Sequence, residues 1–260
     1  MGAEELLDRL DRAEDSHKGM NGKVGVIGGC KDFSGAPAFN AYGALRSGCD
    51  LVRIVTSAEI RDVVRSYSEN FIVEDYPSGY FGLSGVEQCL ELARWSDVVV
   101  FGSGLGSPDE EAVREFIERC DNRLVIDADA IKPSLSSDLS NAVLTPHEAE
   151  AEYIREEFGS VQSFIEEKKA VVVLKGEVDR IFTPEGEYKN RTGHVTMTVG
   201  GTGDVLAGLI ASLISQGLDI KEAARAGAWL NGKAGEKAFE QKGYGMLATD
   251  LVEKIPEAMR

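Results

Sequence analysis

Residues 199–210, VGGTGDVLAGLI, join a glycine-rich turn to an apolar run, and Asp204 stands at the junction. Glycines let the backbone approach a ligand closely, and the N–H groups at the start of a helix stabilise a phosphate. The turn at 200–204 therefore predicts a site that can hold a phosphate. Either Thr202 or Gly203 is expected to cap the helix that follows.

Asp204 itself has two interpretations. Aspartate is common in the first turn of a helix because it interacts favourably with the helix dipole, and this requires no chemistry. Alternatively, if a hydroxyl must attack the bound phosphate, a carboxylate beside the anion hole can orient that hydroxyl and accept its proton. The glycine pattern alone leaves both interpretations open.

Other polar loops also follow short apolar segments. They are 28–37 (GGCKDFSGAP), 102–106 (GSGLG), 127–130 (DADA), 145–150 (TPHEAE) and 175–179 (KGEVD). Ligands of open α/β sheets bind beyond the carboxyl ends of the strands, so these loops are expected to meet at one rim. The first loop is longer than a simple turn needs, which predicts a substrate-lining role. GSGLG resembles a dinucleotide fingerprint only loosely, and it fits a tight turn as well as a ligand contact.

Single side chains in these loops have both chemical and structural interpretations. His147 either contacts a ligand or has a structural role, and Glu150 either holds a water or magnesium ion or is an exposed helical glutamate. One of Asp127 and Asp129 is expected to contact a ligand or metal, and the other to cap the next helix. Lys175 either reaches a phosphate or is an ordinary surface lysine.

The elements that carry these loops alternate between strand and helix. KVGVIG, LVRIVT, DVVVF and RLVI read as strands, and APAFNAYGALRSG, GVEQCLELARW and SPDEEAVREFIERC read as helices, the last capped by Ser107 and started by Pro108. Helices are also predicted at 204–216, about 221–239 and 248–258, and PEG at 184–186 predicts a hairpin turn. The pattern indicates one α/β domain over 1–260, with a mainly parallel sheet covered on both faces and antiparallel strands at one edge. Leucines within 1–15 predict an N-terminal helical extension.

Composition excludes several classes of function. The chain has 260 residues and a formal net charge of -16, which argues against nucleic-acid binding because that needs a basic face. No segment is apolar for long enough to span a membrane, and the acidic N-terminus does not resemble a signal peptide. The 4 cysteines include no CxxC pair and histidines number 3, so a zinc or histidine-rich centre is not expected. Reduced thiols and a cytoplasmic location are expected.

Together, the motifs resemble the NAD(P)H-hydrate dehydratase family of the ribokinase-like superfamily. They are SHKG (16–19), VIGG (26–29), GAP (35–37), GSGLG, DADA, TPH, LKG, NRTG (190–193) and GGTGDVLAG (200–208). Each motif is weak alone, but their number and order are specific, and the resemblance covers the chain from residue 16 to about 256. It implies a ribokinase-like three-layer α/β/α sandwich.

The resemblance also implies an activity, the repair of damaged nicotinamide cofactors. Such enzymes phosphorylate the ring hydroxyl of hydrated NADH or NADPH with ADP or ATP and Mg²⁺, and loss of phosphate then restores the double bond. Phosphorylation makes the dehydration possible because hydroxide is a poor leaving group and phosphate is a good one. Prokaryotic-type members prefer ADP and the family often forms tetramers, so an ADP-dependent hydro-lyase and a homotetramer are implied.

Site residues follow from the resemblance position by position. The general base is Asp204, and the anion hole is Gly201, Thr202 and Gly203. Substrate contacts are Ala36, Gly104, His147 and Asp204, and nucleotide contacts are Lys175, Gly176, Glu177, Val178, Asp179 and Gly203. Glu150 stands in the place of the superfamily's magnesium-linked glutamate, acting through water, and Asp127 is a second candidate metal contact.

The sequence departs from the family pattern in places. TPHEAE stands where many members have TPHPGE, Asp179 replaces a usual threonine, and GHVTMTVGGTGD replaces GNPGMATGGTGD. The fused N-terminal epimerase domain of many members is lacking, so epimer conversion is expected on another polypeptide. Two alternatives stay open. A ribokinase-like kinase acting on a sugar or vitamin precursor would leave phosphate on its product, and a nucleotide-sensing protein without turnover would not depend on Asp204.

Overall fold

The computed structural model describes residues 2–10 and 12–260; Met1 and Asp11, within the predicted extension 1–15, lie outside the described residues. Nine strands form one sheet: β1 Lys23–Ile27, β2 Leu51–Ser57, β3 Ile72–Tyr76, β4 Val98–Phe101, β5 Arg123–Ile126, β6 Ala142–Leu144, β7 Val171–Leu174, β8 Asp179–Thr183 and β9 Gly186–Asn190. Their order is β3-β2-β1-β4-β5-β6-β7-β8-β9. β1 to β7 pair in parallel, and β8 and β9 are antiparallel. The predicted parallel sheet with an antiparallel edge is confirmed.

Helices cover both faces of this sheet. They are α1 Gly35–Arg46, α2 Arg61–Ser66, α3 Val86–Trp95, α4 Glu110–Arg119, α5 Ile131–Ser134, α6 Glu148–Phe158, α7 Val161–Lys168, α8 Thr202–Ser215, α9 Ile220–Lys242 and α10 Ala248–Ala258. One core lies between the sheet and α3 to α7, and the other lies under α1, α2, α8 and α9, with α10 packed outside them. The three-layer α/β/α architecture is confirmed.

The strands are buried on both faces, as their β-branched runs predict. In β4, Val98 and Val100 point into one core, and Val99 and Phe101 point into the other. All four side chains have 0% exposure. A central strand buried on both faces is a rigid base for the loop that follows it.

Glycine allows α1 and α8 to cross at very short range. A Cβ on Gly208 would lie 2.0 Å from the carbonyl oxygen of Asn40, and a Cβ on Gly43 would lie 2.4 Å from the carbonyl oxygen of Val205. The backbones therefore touch without intervening side chains. This contact fixes the first turn of α8, which carries Asp204, against α1.

Gly208→Ala is expected to destabilise the fold by about 1–3 kcal/mol, because the added methyl group must push α1 and α8 apart. Urea unfolding would measure the change. Gly245→Ala is the matched control, since no atom lies within 4 Å of its added Cβ, and it should shift the unfolding free energy by less than about 0.5 kcal/mol. Equal effects of the two substitutions would contradict the role of the close crossing.

The helix caps differ from those predicted. Asp109, and not Ser107, caps α4, because its side chain accepts a hydrogen bond from Glu111 N. Gly201 precedes α8 with φ +101°, and neither Thr202 nor Gly203 caps that helix. The path of the backbone, and not the residue type alone, decides which residue becomes the cap.

The N-terminal segment also differs from prediction. Its helix is a single 3-10 turn, Leu7–Arg9, and not an amphipathic α-helix. Leu6 is 1% exposed, and Leu7 and Leu10 pack against the core, so the leucines still attach this segment to the domain.

None of the helices within residues 2–10 and 12–260 is long and apolar enough to cross a membrane.

Candidate active site

The loops at the carboxyl ends of β1, β4 and β5 meet the start of α8 around one cleft of about 550 Å³. Its lining includes Asp32, Phe33, Ser34, Gly35, Ala36, Phe39, Gly104, Asp129, Gly201 and Asp204. A Cβ on Gly104 would lie 2.9 Å from the Cβ of Ala36, and Gly104 has φ +70°, so glycine lets its loop reach the start of α1. Three predicted substrate contacts, Ala36, Gly104 and Asp204, therefore share this cleft.

Asp204 is half-buried and faces the cleft. The pKa of its carboxyl group is raised to about 7, chiefly by burial and next by the nearby Asp127 carboxylate. Lys175 and the Ser103 hydroxyl act in the opposite direction and lower this pKa. A carboxylate with a pKa near neutrality is suited to accept and release a proton at physiological pH.

Asp127 lies beneath the cleft, 2% exposed, and three protein groups donate to its carboxylate. Lys175 Nζ donates to Oδ1 at 3.0 Å, Thr145 Oγ1 to Oδ1 at 2.7 Å, and Ser103 Oγ to Oδ2 at 3.1 Å. Burial opposes the charged form of Lys175, but the carboxylates of Asp127 and Glu150 outweigh it and raise the pKa of Lys175. The lysine therefore stays protonated inside this acidic cluster.

The predicted anion hole lies directly above that ammonium group. A Cβ on Gly203 would lie 3.3 Å from Lys175 Nζ, so the lysine reaches the backbone of the turn. Thr202 Oγ1 donates to Met197 O at 2.7 Å and thereby closes the turn with its own side chain. Helical bonding begins with Val205 N, which donates to Gly201 O at 3.0 Å, and the N–H groups of the preceding turn are those that a helix leaves for an anion.

His147 and Glu150 form the capping box of α6. Glu150 N donates to His147 Nδ1 at 3.2 Å, and His147 N donates to Glu150 Oε2 at 2.8 Å. Within the described part of the chain, His147 is not among the residues that line the cleft around Asp204. Its side chain is 56% exposed and open to solvent, so its predicted substrate contact stays a prediction.

The magnesium contacts can be tested against these donors. Residues 2–10 and 12–260 contain no group of three or more Asp, Glu, His or Cys side chains arranged to hold a metal ion. The three donors at Asp127 do not fit direct coordination, since a metal ion there would require the ion pair with Lys175 to open. Glu150 has one oxygen on the backbone of His147, and its contact through water stays a prediction.

In the predicted nucleotide segment 175–179, residues 175–178 form the turn between β7 and β8, and Asp179 begins β8. Asp179 accepts from Gly176 N at 3.1 Å and from Asn190 Nδ2 at 3.0 Å, and burial raises the pKa of its carboxyl group. Its carboxylate thus ties the turn to β9. Through Lys175, the segment borders the anion hole at Gly203, and its nucleotide contacts remain predictions.

Several residues of the site were not predicted. Asn40 and Ser103 hydrogen-bond each other beside Asp204, with Asn40 Nδ2 donating to Ser103 Oγ at 3.2 Å. One of Asp127 and Asp129 was expected to cap the next helix with its side chain, and neither does. Asp127 precedes the 3-10 turn Ala128–Ala130 without a side-chain cap bond, and Asp129 Oδ2 accepts from Gly106 N at 2.7 Å. Ala128, between the two acids, has φ +51°, an unusual value for a residue with a Cβ. An asparagine on the apolar face of α1 was the one signal in the sequence that could have revealed Asn40.

The protein has a ribokinase-like fold. A ribokinase-like superfamily protein of Enterococcus faecalis superposes with a TM-score of 0.87 at 23% identity, covering 98% of this chain and 93% of that one. An ADP/ATP-dependent NAD(P)H-hydrate dehydratase of Bacillus subtilis, co-crystallized with ATP/Mg²⁺, superposes with a TM-score of 0.79 at 23% identity, covering 98% and 95%.

Sequence comparison identifies the family. The family model described as NAD(P)H-hydrate dehydratase matches residues 24–257. An ADP-dependent (S)-NAD(P)H-hydrate dehydratase of Haloterrigena turkmenica is 44% identical over 240 residues, which is 92% of this chain and 93% of the relative. A bifunctional NAD(P)H-hydrate repair enzyme of Archaeoglobus fulgidus is 42% identical over 95% of this chain and 53% of its own length. The chain belongs to the NAD(P)H-hydrate dehydratase family.

Proposed function

We propose that this protein dehydrates hydrated NADH or NADPH with ADP as the phosphoryl donor and restores the reduced cofactor. One observation carries the proposal. The carboxylate of Asp204, with a pKa of about 7, faces a cleft that it shares with Gly201 of the predicted anion hole. Transfer of a phosphoryl group to a hydroxyl requires a base and a phosphate site close to each other, and here both lie in the same turn. The name of the Haloterrigena relative supports ADP as the donor.

In the first step, the hydroxyl of the hydrated ring attacks the terminal phosphorus of ADP. The hydroxyl gives its proton to Asp204, a new O–P bond forms, and AMP leaves with the electron pair of the bond that breaks. The backbone N–H groups at Gly201, Thr202 and Gly203 stabilise the charge on the transferring phosphoryl group. The Lys175 ammonium, packed against Gly203, adds positive charge from below.

In the second step, the phosphorylated ring loses phosphate. The ring C–O bond breaks with its electron pair on the phosphate, the neighbouring ring carbon gives a proton to the departing phosphate, and the double bond returns. The ion pair between Lys175 and Asp127, at 3.0 Å, lies beside the anion hole. Mg²⁺ bound with the nucleotide would neutralise phosphate charge, and the Bacillus structure co-crystallized with ATP/Mg²⁺ supports its presence.

Incubation of the protein with NADH hydrate, Mg²⁺ and ADP should restore the absorbance of the reduced nicotinamide and release one phosphate per turnover. ATP in place of ADP tests the choice of donor. Glu91→Gln replaces an exposed acid on α3. It is the matched control for substitution of Asp204 and should retain full activity. A phosphorylated product that retains its phosphate would instead identify a small-molecule kinase, and absence of turnover with both nucleotides would refute the dehydratase.

The assembly and location that the resemblance implies are part of the same proposal. We infer a homotetramer that works in the cytoplasm. Sedimentation of the purified protein would measure the assembly directly. A monomer at micromolar concentration would contradict the tetramer and leave the proposed reaction unaffected.

A further inference from the structure

Phe33 is a large apolar side chain that is exposed at the cleft. It belongs to the loop that joins β1 to α1, it lines the same cleft as Asp204, and it is 55% exposed. Single exposed apolar side chains are common on protein surfaces, so exposure alone does not indicate a role. The attachment of its loop and its neighbours in the cleft distinguish Phe33 from such a residue.

The loop that carries Phe33 is held by hydrogen bonds within it and from outside it. Phe33 N donates to Cys30 O at 3.0 Å, and Cys30 N donates to Phe33 O at 3.1 Å. The residue between them and Phe33, Asp32, accepts from the Tyr80 hydroxyl at 2.5 Å through its Oδ2. These bonds fix the backbone of Phe33 before a ligand arrives, and this lowers the entropic cost of binding.

Phe33 lies beside two of the predicted substrate contacts. A Cβ on Gly104 would lie 3.4 Å from the Cβ of Phe33 and 2.9 Å from the Cβ of Ala36. Because residue 104 is glycine, the space next to Phe33 and Ala36 that a larger side chain would fill stays open. An aromatic ring beside open space in a cleft can stack against a planar group of a ligand.

The charges of the cleft restrict which part of a dinucleotide can enter it. Among the described residues, its lining contains three acids, Asp32, Asp129 and Asp204, and no lysine or arginine. These carboxylates would repel the diphosphate of the substrate. The hydrated nicotinamide ring is uncharged, and its ring nitrogen, remaining double bond and carboxamide form a planar conjugated system. It is also the part of the substrate whose hydroxyl must reach Asp204.

We propose that Phe33 is a substrate-binding residue whose aromatic ring stacks on the hydrated nicotinamide ring while the ring hydroxyl faces Asp204. The inference rests on the proposed function for the identity of that ring. The diphosphate and adenosine of the substrate then lie outside the cleft. The planar part of the nicotinamide changes little during phosphorylation, so Phe33 contacts substrate and transition state equally and contributes to binding rather than to the rate.

Phe33→Ala is expected to raise KM for NADH hydrate about tenfold and to leave kcat within about threefold, because a stacking contact is lost and the base is untouched. Phe33→Tyr keeps the ring and should stay within about twofold of the wild-type KM. Ile72→Ala is the matched control, since Ile72 is 41% exposed at the amino end of β3, away from the cleft. A wild-type KM in Phe33→Ala, or equal KM values in the alanine and tyrosine variants, would overturn the proposal.

Binding measurements without turnover separate this proposal from the proposed function. NADH and reduced nicotinamide mononucleotide carry the nicotinamide ring, whereas ADP-ribose lacks it. By calorimetry, Phe33→Ala should raise the Kd of the first two about tenfold and leave the Kd of ADP-ribose within about twofold. Weaker binding of ADP-ribose to the variant would place Phe33 against the adenosine half and overturn the proposal. Unchanged affinities, or a wild type that binds neither ring-containing compound, would also overturn it. A wild type that binds NADH through Phe33 without dehydratase turnover would refute only the proposed function.

Discussion

Asp204→Asn is expected to lower kcat about a hundredfold or more, the usual scale for loss of a positioned base. The amide keeps the size and the cleft position of the side chain but cannot accept the proton of the attacking hydroxyl. KM for the hydrated cofactor should change little, because Ala36, Gly104 and the remaining lining are untouched. Steady-state kinetics with NADH hydrate and ADP would measure both constants. An Asp204→Asn protein with wild-type kcat would remove Asp204 from the mechanism.

The raised pKa of Asp204 gives this variant a second signature. In the wild type, kcat/KM should rise with pH through about 7 as the carboxylate ionises, and the Asn variant should lack this rise. The free energy of unfolding should depend on pH in the opposite direction to kcat/KM. A carboxyl whose folded pKa is raised to about 7 stabilises the fold fully below its unfolded pKa, and this contribution is lost as pH rises to about 7.

The unfolding free energy of the wild type should therefore fall between pH 4 and pH 7 relative to that of Asp204→Asn, and the variant should be the more stable protein at pH 8. Denaturant unfolding at both pH values would measure this. A variant that is inactive and also less stable at pH 8 would indicate a structural role for the carboxylate. Loss of activity together with a gain in stability is the expected pattern for a functional acid.

The central part of this site could be predicted because it is local in the chain. The glycine turn, the helix start and Asp204 fall within 200–204, so their juxtaposition needs no knowledge of the tertiary structure. The loops at 102–106 and 127–130 could be placed at the same rim because parallel strands end together. The sheet itself followed from β-branched runs such as those of β4 and β7.

The support of the site depends on contacts between distant residues. The hydrogen bond from Asn40 to the Asp204 carbonyl joins residues 164 positions apart, and that from Lys175 to Asp127 joins residues 48 apart. No local pattern encodes which of several rim acids faces the lysine. The segment 57–84 was likewise left without elements, although it contains α2 and the edge strand β3, whose exposure to solvent leaves a weak hydrophobic signal.

The ion pair between Lys175 and Asp127 bears on the role of Lys175, which the sequence left open. Lys175 was expected to reach a phosphate or to be an ordinary surface lysine. Its ammonium is bonded to Asp127 and lies against Gly203, so it is not an ordinary surface lysine, and its phosphate contact stays a prediction. Its role in charge stabilisation and its role in stability can therefore be separated by mutation.

Lys175→Met is expected to destabilise the protein by about 3 kcal/mol and to lower kcat/KM for ADP about a hundredfold. The first effect arises because Asp127, 2% exposed, would lose its cationic partner. The second arises because the turn at Gly203 would lose the nearby positive charge. Denaturant unfolding measures the first effect, and initial rates at varied ADP concentration measure the second.

The double variant Asp127→Asn/Lys175→Met separates the two effects. Without an unpaired buried charge it should recover most of the lost stability, since the amide oxygen can still accept from Thr145. Its kcat/KM for ADP should stay low, because the charge beneath the anion hole is still absent. If activity returned along with stability, Lys175 would serve only to neutralise Asp127. If neither returned, the role of Lys175 in the fold would extend beyond this ion pair.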